Sequence, residues 1–116
     1  AYDYAIFFFF FLNKGKYNGK QILSPRTVEM MLSGQLDFMF NGTNNIGLGF
    51  EIVTDKGAAK GPRNKGSFSW GGYYGTNYWA DPKSNMICLI MTQHTPNSHG
   101  DLITKFQNLV YASLKE

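Results

Sequence analysis

Alternation is clearest over residues 75–81. Thr76, Tyr78 and Ala80 fall on one side and Asn77, Trp79 and Asp81 on the other, the period of two that marks a strand. Residues 86–93 follow as a second strand, apolar at every position from Met86 to Met91, a pattern that requires cover on both faces. Between them Asp81-Pro82-Lys83-Ser84-Asn85 supplies turn chemistry. Residues 67–72 predict a preceding strand, and residues 47–54 another whose early glycines, Gly47 and Gly49, permit close backbone approach. Helical spacing replaces alternation at residues 101–115, where Leu102, Ile103, Phe106, Leu109, Val110 and Leu114 form a stripe. Asp101 and Lys115 match the dipole of that helix. A second helix is predicted over residues 24–33, with Ser24 as N-cap, Pro25 in the first turn, a stripe of Val28, Met31 and Leu32, and Gly34 as its stop. A third, over residues 2–14, contains five consecutive phenylalanines at 7–11. Aromatics all around a helix predict that it is buried on every side.

The order is therefore two helices, four strands and one helix. Residues 35–46 read as polar turns, residues 55–66 as a basic surface loop and residues 95–100 as a linker. Short links between strands favour antiparallel pairing, giving an α+β domain in which an antiparallel sheet is flanked by helices. The closing helix can cover one face and the opening helices the other, yet the strand at 86–93 asks for more cover than these offer. The sequence also opens without Met and inside a helix. Both features lead us to expect residues 1–116 to be a C-terminal fragment of a longer domain.

Composition narrows this picture modestly. The chain is 43% hydrophobic and 16% charged, which predicts a packed core rather than disorder. A net charge of +3 is too small to argue for nucleic acid. The apolar run at residues 6–12 falls far short of a membrane span, which needs ~20 residues. Cys88 is alone, which excludes an internal disulfide, and its apolar setting predicts a small buried hydrophobe.

Several constellations offer chemistry. Ser69, His94 and Asp101 supply a Ser/His/Asp set that nothing in the sequence brings together. His94 and His99 lack the clustered thiols or carboxylates of a metal site, so no metal is expected. The glycine-rich stretch 57–66, with Lys60, Arg63 and Lys65, has the composition of a phosphate cradle but no strand-loop-helix context. Trp70-Gly71-Gly72-Tyr73 is more specific. Two glycines beside an aromatic at a strand end let a ligand or another backbone come close, and an amide bared there can donate to an oxyanion. A simple bulge is the other reading of the same pair.

Longer stretches carry a resemblance. Asp3-Tyr4-Ala5, the run from Leu12 through Gly19, the run from Ile22 through Met31, and Gly47-Leu48-Gly49-Phe50 are followed by Ser69-Trp70-Gly71-Gly72-Tyr73-Tyr74-Gly75-Thr76 and Trp79-Ala80-Asp81-Pro82. In order and spacing these resemble the C-terminal part of the serine β-lactamase-like hydrolases: class C β-lactamases, D-Ala-D-Ala carboxypeptidases and esterases of the β-lactamase/transpeptidase-like fold. The resemblance implies a serine nucleophile in Ser-x-x-Lys and a Tyr-x-Asn/Ser motif. Neither occurs here: no Ser is followed three residues later by Lys, and the settings of Tyr2-Asp3-Tyr4 and Tyr17-Asn18-Gly19 do not fit.

What the chain keeps is the position of the family's third motif, occupied by Trp70-Gly71-Gly72. The resemblance implies that the Tyr73 amide is an oxyanion donor, that Trp70 and Tyr73 line the acyl pocket with Gly71 and Gly72, and that Tyr74 joins them. Trp70 stands where β-lactamases and peptidases carry a Lys for the substrate carboxylate, so an uncharged ester or amide is the expected small-molecule substrate. A β-lactamase, a D-Ala carboxypeptidase and an inactive binding module of the same fold are the alternatives. The implied partner is the N-terminal part of the same protein. No cofactor, nucleic acid or membrane span is expected, and a periplasmic or secreted location is compatible with the family.

Overall fold

The computed structural model describes residues 1–94 and 101–115. Its centre is a five-stranded antiparallel sheet in simple meander order: β3 (Asn44–Ile46), β4 (Glu51–Val53), β5 (Phe68–Gly71), β6 (Asn77–Asp81) and β7 (Met86–Ile90). A two-stranded hairpin, β1 (Lys16–Tyr17) with β2 (Lys20–Gln21), stands apart from it. The helices are α1 (Tyr2–Leu12), α2 (Pro25–Met31), α3 (Asp55–Lys60) and α4 (Asp101–Ala112), with one 3-10 turn at Phe40–Gly42.

Register sorts the side chains. Ile52, Phe68, Ala80 and Ile87 stand in one row across β4–β7, while Glu51, Ser69, Trp79 and Cys88 stand in the row on the opposite face. The first face carries the core, an aromatic cluster in which Phe8 lies 5.7 Å from Phe50, 5.5 Å from Phe68 and 5.2 Å from Tyr78 between ring centroids. Val28 of α2 closes the same core, and Ser24 accepts the Thr27 amide at 3.1 Å as the N-cap of that helix. On the opposite face Phe106 of α4 meets Trp79 at 5.6 Å. The predicted alternation of β6 holds, with Tyr78 and Ala80 in the core and Trp79 and Asp81 beneath α4.

Several expectations are corrected. The stretch 47–54 is not one strand: the Gly47 amide donates to the Phe50 carbonyl at 2.8 Å, making residues 47–50 a turn between β3 and β4. The presumed polar turns at Asn44 and Asn45 are thus a strand. The basic loop at 55–66 contains α3, for which Thr54 acts as N-cap by accepting the Gly57 amide at 3.3 Å. Lastly, α1 is buried along one stripe only. Phe8 is fully buried and Phe11 nearly so, but Phe7 and Phe9 are about half exposed, because the sheet covers a single side of the helix. The linker at 95–100 lies outside the described residues.

A buried polar network fastens α4. Asp81, without solvent exposure, accepts hydrogen bonds from Asn64 Nδ2 (2.7 Å), Tyr111 Oη (2.6 Å) and the amides of Lys83 (3.0 Å) and Ser84 (3.2 Å). Trp79 Nε1 donates in turn to Tyr111 Oη at 3.2 Å. Burial and the adjacent Asp81 raise the Tyr111 hydroxyl above its ordinary range. The inward face of α4 is Ile103, Phe106, Val110 and Tyr111, whereas Leu102 and Leu109 face solvent, correcting the predicted stripe at those two positions.

Burial also pushes the Cys88 thiol up to about 11. Both groups are protonated in the folded state at pH values where the unfolded chain has lost the protons. The unfolded state then binds fewer protons, so stability falls as pH rises from about 9 through about 11. Urea titrations of the intact protein at pH 8 and pH 10.5 should show this loss, and a Cys88→Ala variant should lose less. An equal loss in the variant would remove Cys88 as a cause.

Candidate active-site rim

The end of β5 and the turn to β6 form the rim that the glycines predicted. Trp70 pairs with Tyr78 and Gly71 with Asn77. The Gly72 amide is committed to the Thr76 carbonyl at 2.8 Å, and the Gly75 amide to the Gly72 carbonyl at 3.1 Å. The turn is tied to the segment after β7: the His94 amide and Thr92 Oγ1 both donate to the Tyr74 carbonyl, at 2.8 and 2.9 Å. The Tyr73 amide donates no hydrogen bond among the described residues.

The three glycines have different causes. Gly75 has φ +91 and an added Cβ would collide with Thr92, so the turn itself requires it. Gly71 and Gly72 are not in the left-handed region, and a Cβ on either would meet Thr76 or Asn77 only at ordinary contact distances of 3.5 Å or more. Nothing in the folded chain demands glycine at these two positions. They leave space on the surface beside an uncommitted amide. The alternative reading of the pair as a bulge does not hold at Gly71, which stays in register with Asn77.

Around this point the side chains are aromatic and exposed. Trp70 is about half exposed, Tyr74 likewise, and Tyr73 is 81% exposed. Trp70 borders a cleft of about 480 Å³ whose other walls include Tyr4, Phe7, Leu48 and Tyr78. Tyr4 stacks on Tyr78 at 4.7 Å and 25°. Burial first, then the hydrogen bond to Tyr4, raises the Tyr78 hydroxyl. Sequence reasoning passed over Tyr4 as a wall of this cleft; its place three residues before Phe7 on one helical face was the available signal.

The other constellations dissolve. Ser69 is buried and its hydroxyl accepts from Arg63 Nη1 at 3.0 Å, while Asp101 is paired with Lys105 at 2.7 Å within α4. Two of the three cations of the 57–66 stretch are engaged, Arg63 with Glu51 and Ser69, and Lys65 with Asp55 at 3.1 Å. Among the described residues no three His, Cys, Asp or Glu side chains gather to hold a metal ion. His99 lies outside the described residues. No helix among the described residues is long and apolar enough to cross a membrane.

Comparison with known proteins identifies the family and the fold. A family model described as Beta-lactamase matches residues 1–112. Two curated relatives from Mycobacterium tuberculosis, Protein Rv1367c of strain H37Rv and Uncharacterized protein MT1414 of strain CDC 1551, are each 34% identical over 114 residues. The match takes in 87% of this chain but 28% of each relative, so the chain spans little more than a quarter of their length. Among solved structures, the unliganded selenomethionyl simvastatin synthase LovD from Aspergillus terreus superposes with a TM-score of 0.74 at 24% identity, over 97% of this chain and 34% of its own. EstCE1, a hydrolase with promiscuous acyltransferase activity, gives 0.72 at 24% identity, over 86% and 26%. At that identity these two likenesses speak for the fold.

Proposed function

The chain belongs to the beta-lactamase family, and from that premise we propose that it is the sheet-bearing, C-terminal part of a serine hydrolase acting on carboxylic esters through an acyl-enzyme. The serine hydroxyl adds to the ester carbonyl, the alcohol departs, and water then releases the acid and restores the serine. The serine and its base come from polypeptide outside these 116 residues, since no Ser-x-x-Lys occurs within them. This chain supplies the Tyr73 amide as one oxyanion donor. Trp70, Gly71, Gly72 and Tyr74 bound the acyl site, and the indole at Trp70 suits an uncharged substrate better than a carboxylate.

The observation that carries this reading is the uncommitted Tyr73 amide beside two glycines that the fold does not require. The position of β7 supports the need for the rest of the protein. It is an apolar strand at the sheet's edge with most side chains only half-buried, an arrangement that invites further pairing. The intact protein should hydrolyse a short chromogenic ester, and the 116-residue chain alone should not. Hydrolysis by the isolated chain at the intact rate would place the nucleophile inside it and overturn the assignment.

A second reading rests on the exposure of Tyr73 and Tyr74: the rim is an aromatic binding surface on a catalytically inactive member of the fold. The upstream sequence separates the two. A Ser-x-x-Lys followed by Tyr-x-Asn or Tyr-x-Ser belongs to the enzyme, and the lack of both belongs to the binding module.

A further inference from the structure

Trp70 also borders a second cleft, of about 360 Å³, lined by Phe40, Glu51, Gly71, Gly72 and Asn77 besides Trp70. We propose that this cleft holds a neutral, hydroxyl-bearing part of the substrate through Asn77 and Glu51. The proposal rests on the ester-hydrolase reading of the rim and adds to it the kind of group recognised beyond the carbonyl.

Position comes from register. Glu51 lies opposite Ser69 and Gly71 opposite Asn77, so Glu51 and Asn77 share a sheet face on either side of Gly71. Because β4 begins only at Glu51 and the chain turns at residues 47–50, no paired strand residue stands beside Gly71 on that side. A Cβ on Gly71 would reach Asn77 Nδ2 at 3.6 Å, so it is the missing side chain that opens the floor to this amide.

Chemistry follows from what is already committed. Glu51 Oε1 accepts from Asn44 Nδ2 at 2.5 Å and faces Arg63 Nη2 at 3.5 Å, while Oε2 accepts no hydrogen bond among the described residues. Among the described residues the Asn77 side chain makes none either, and it keeps both a donor and an acceptor. Arg63 offsets the charge of Glu51, which disfavours an ammonium ligand and leaves hydrogen bonding as the means of recognition. A hydroxyl can accept from Asn77 Nδ2 and donate to Glu51 Oε2. Phe40 supplies an apolar wall for the carbon skeleton. Phe40 is held at φ +52, an outlier for a bulky side chain, in a turn fastened by Thr43 Oγ1 donating to its carbonyl at 2.6 Å.

The test uses the intact protein and matched esters: butyl butyrate, 2,3-dihydroxypropyl butyrate and butyl 3,4-dihydroxybutyrate. One of the dihydroxy esters should be preferred over butyl butyrate, by about tenfold for one well-made hydrogen bond. Asn77→Ala and Glu51→Gln should each reduce that preference to near unity. Which ester responds tells which end of the substrate enters the cleft. An unaltered preference in both variants overturns the proposal, and so does a choline ester preferred over both with that preference lost in Glu51→Gln. If no ester is hydrolysed, the enzyme reading fails by itself and 1,2-propanediol decides the cleft. A saturable shift of the Asn77 side-chain amide resonances, absent in Glu51→Gln, supports the site; no shift refutes it.

Discussion

Placing leucine at Gly72 of the intact protein should lower turnover of a short ester by about two to three orders of magnitude, the scale of losing one oxyanion donor. The size of the effect follows from where the new side chain must go. A Cβ at Gly72 finds only Thr76 at 3.5 Å, so the folded chain accepts it. The branch beyond Cβ has to enter the space beside the Tyr73 amide, and a shift of about 1 Å in a bound carbonyl already costs on the order of a hundredfold. The melting temperature should therefore hold while kcat falls. Gly75→Leu provides the contrast: φ +91 and the contact with Thr92 make that substitution a folding defect first. Unchanged turnover in Gly72→Leu would remove the rim from the reaction.

The second large effect concerns stability. Phe8→Ala should destabilise by about 3–5 kcal/mol, as truncation of a fully buried phenylalanine does. Phe8 has no solvent exposure and touches the rings of Phe50, Phe68 and Tyr78, which belong to three different strands or turns. Phe9, next to it and 55% exposed, should cost far less when truncated. Urea unfolding of the two variants measures the difference directly. Equal losses would mean that α1 is covered on all sides, as its sequence by itself predicts.

That contrast shows why the phenylalanine run misleads. Five identical side chains carry no amphipathic signal, so neither the buried stripe nor its direction is written in residues 7–11. The faces of α1 are decided by Phe50, Phe68 and Tyr78, all remote in sequence. Similarly, Asn44 and Asn45 are turn formers by local preference, yet they lie in β3 because β4 offers a ladder once residues 47–50 reverse the chain. Tertiary pairing overrides local propensity there. Residues 55–66 read as a loop because of Gly57 and their basic composition, and the Thr54 cap of α3 emerges only in the folded chain. The pair Gly71-Gly72 was legible as an unusual position; whether the fold or the surroundings required the glycines was not.

What the sequence determined by itself is the antiparallel β5–β7 meander, the identity of the helices that cover it, and membership of a family whose nucleophile motif this chain lacks. Period-two alternation, turn residues and caps are local properties, readable one stretch at a time. Only the tertiary structure decided which amide at the rim stays uncommitted, which glycines are free of backbone necessity, and that Glu51 and Asn77 flank the same gap. These depend on register between strands distant in sequence, where a slip of one residue would turn every side chain to the opposite face.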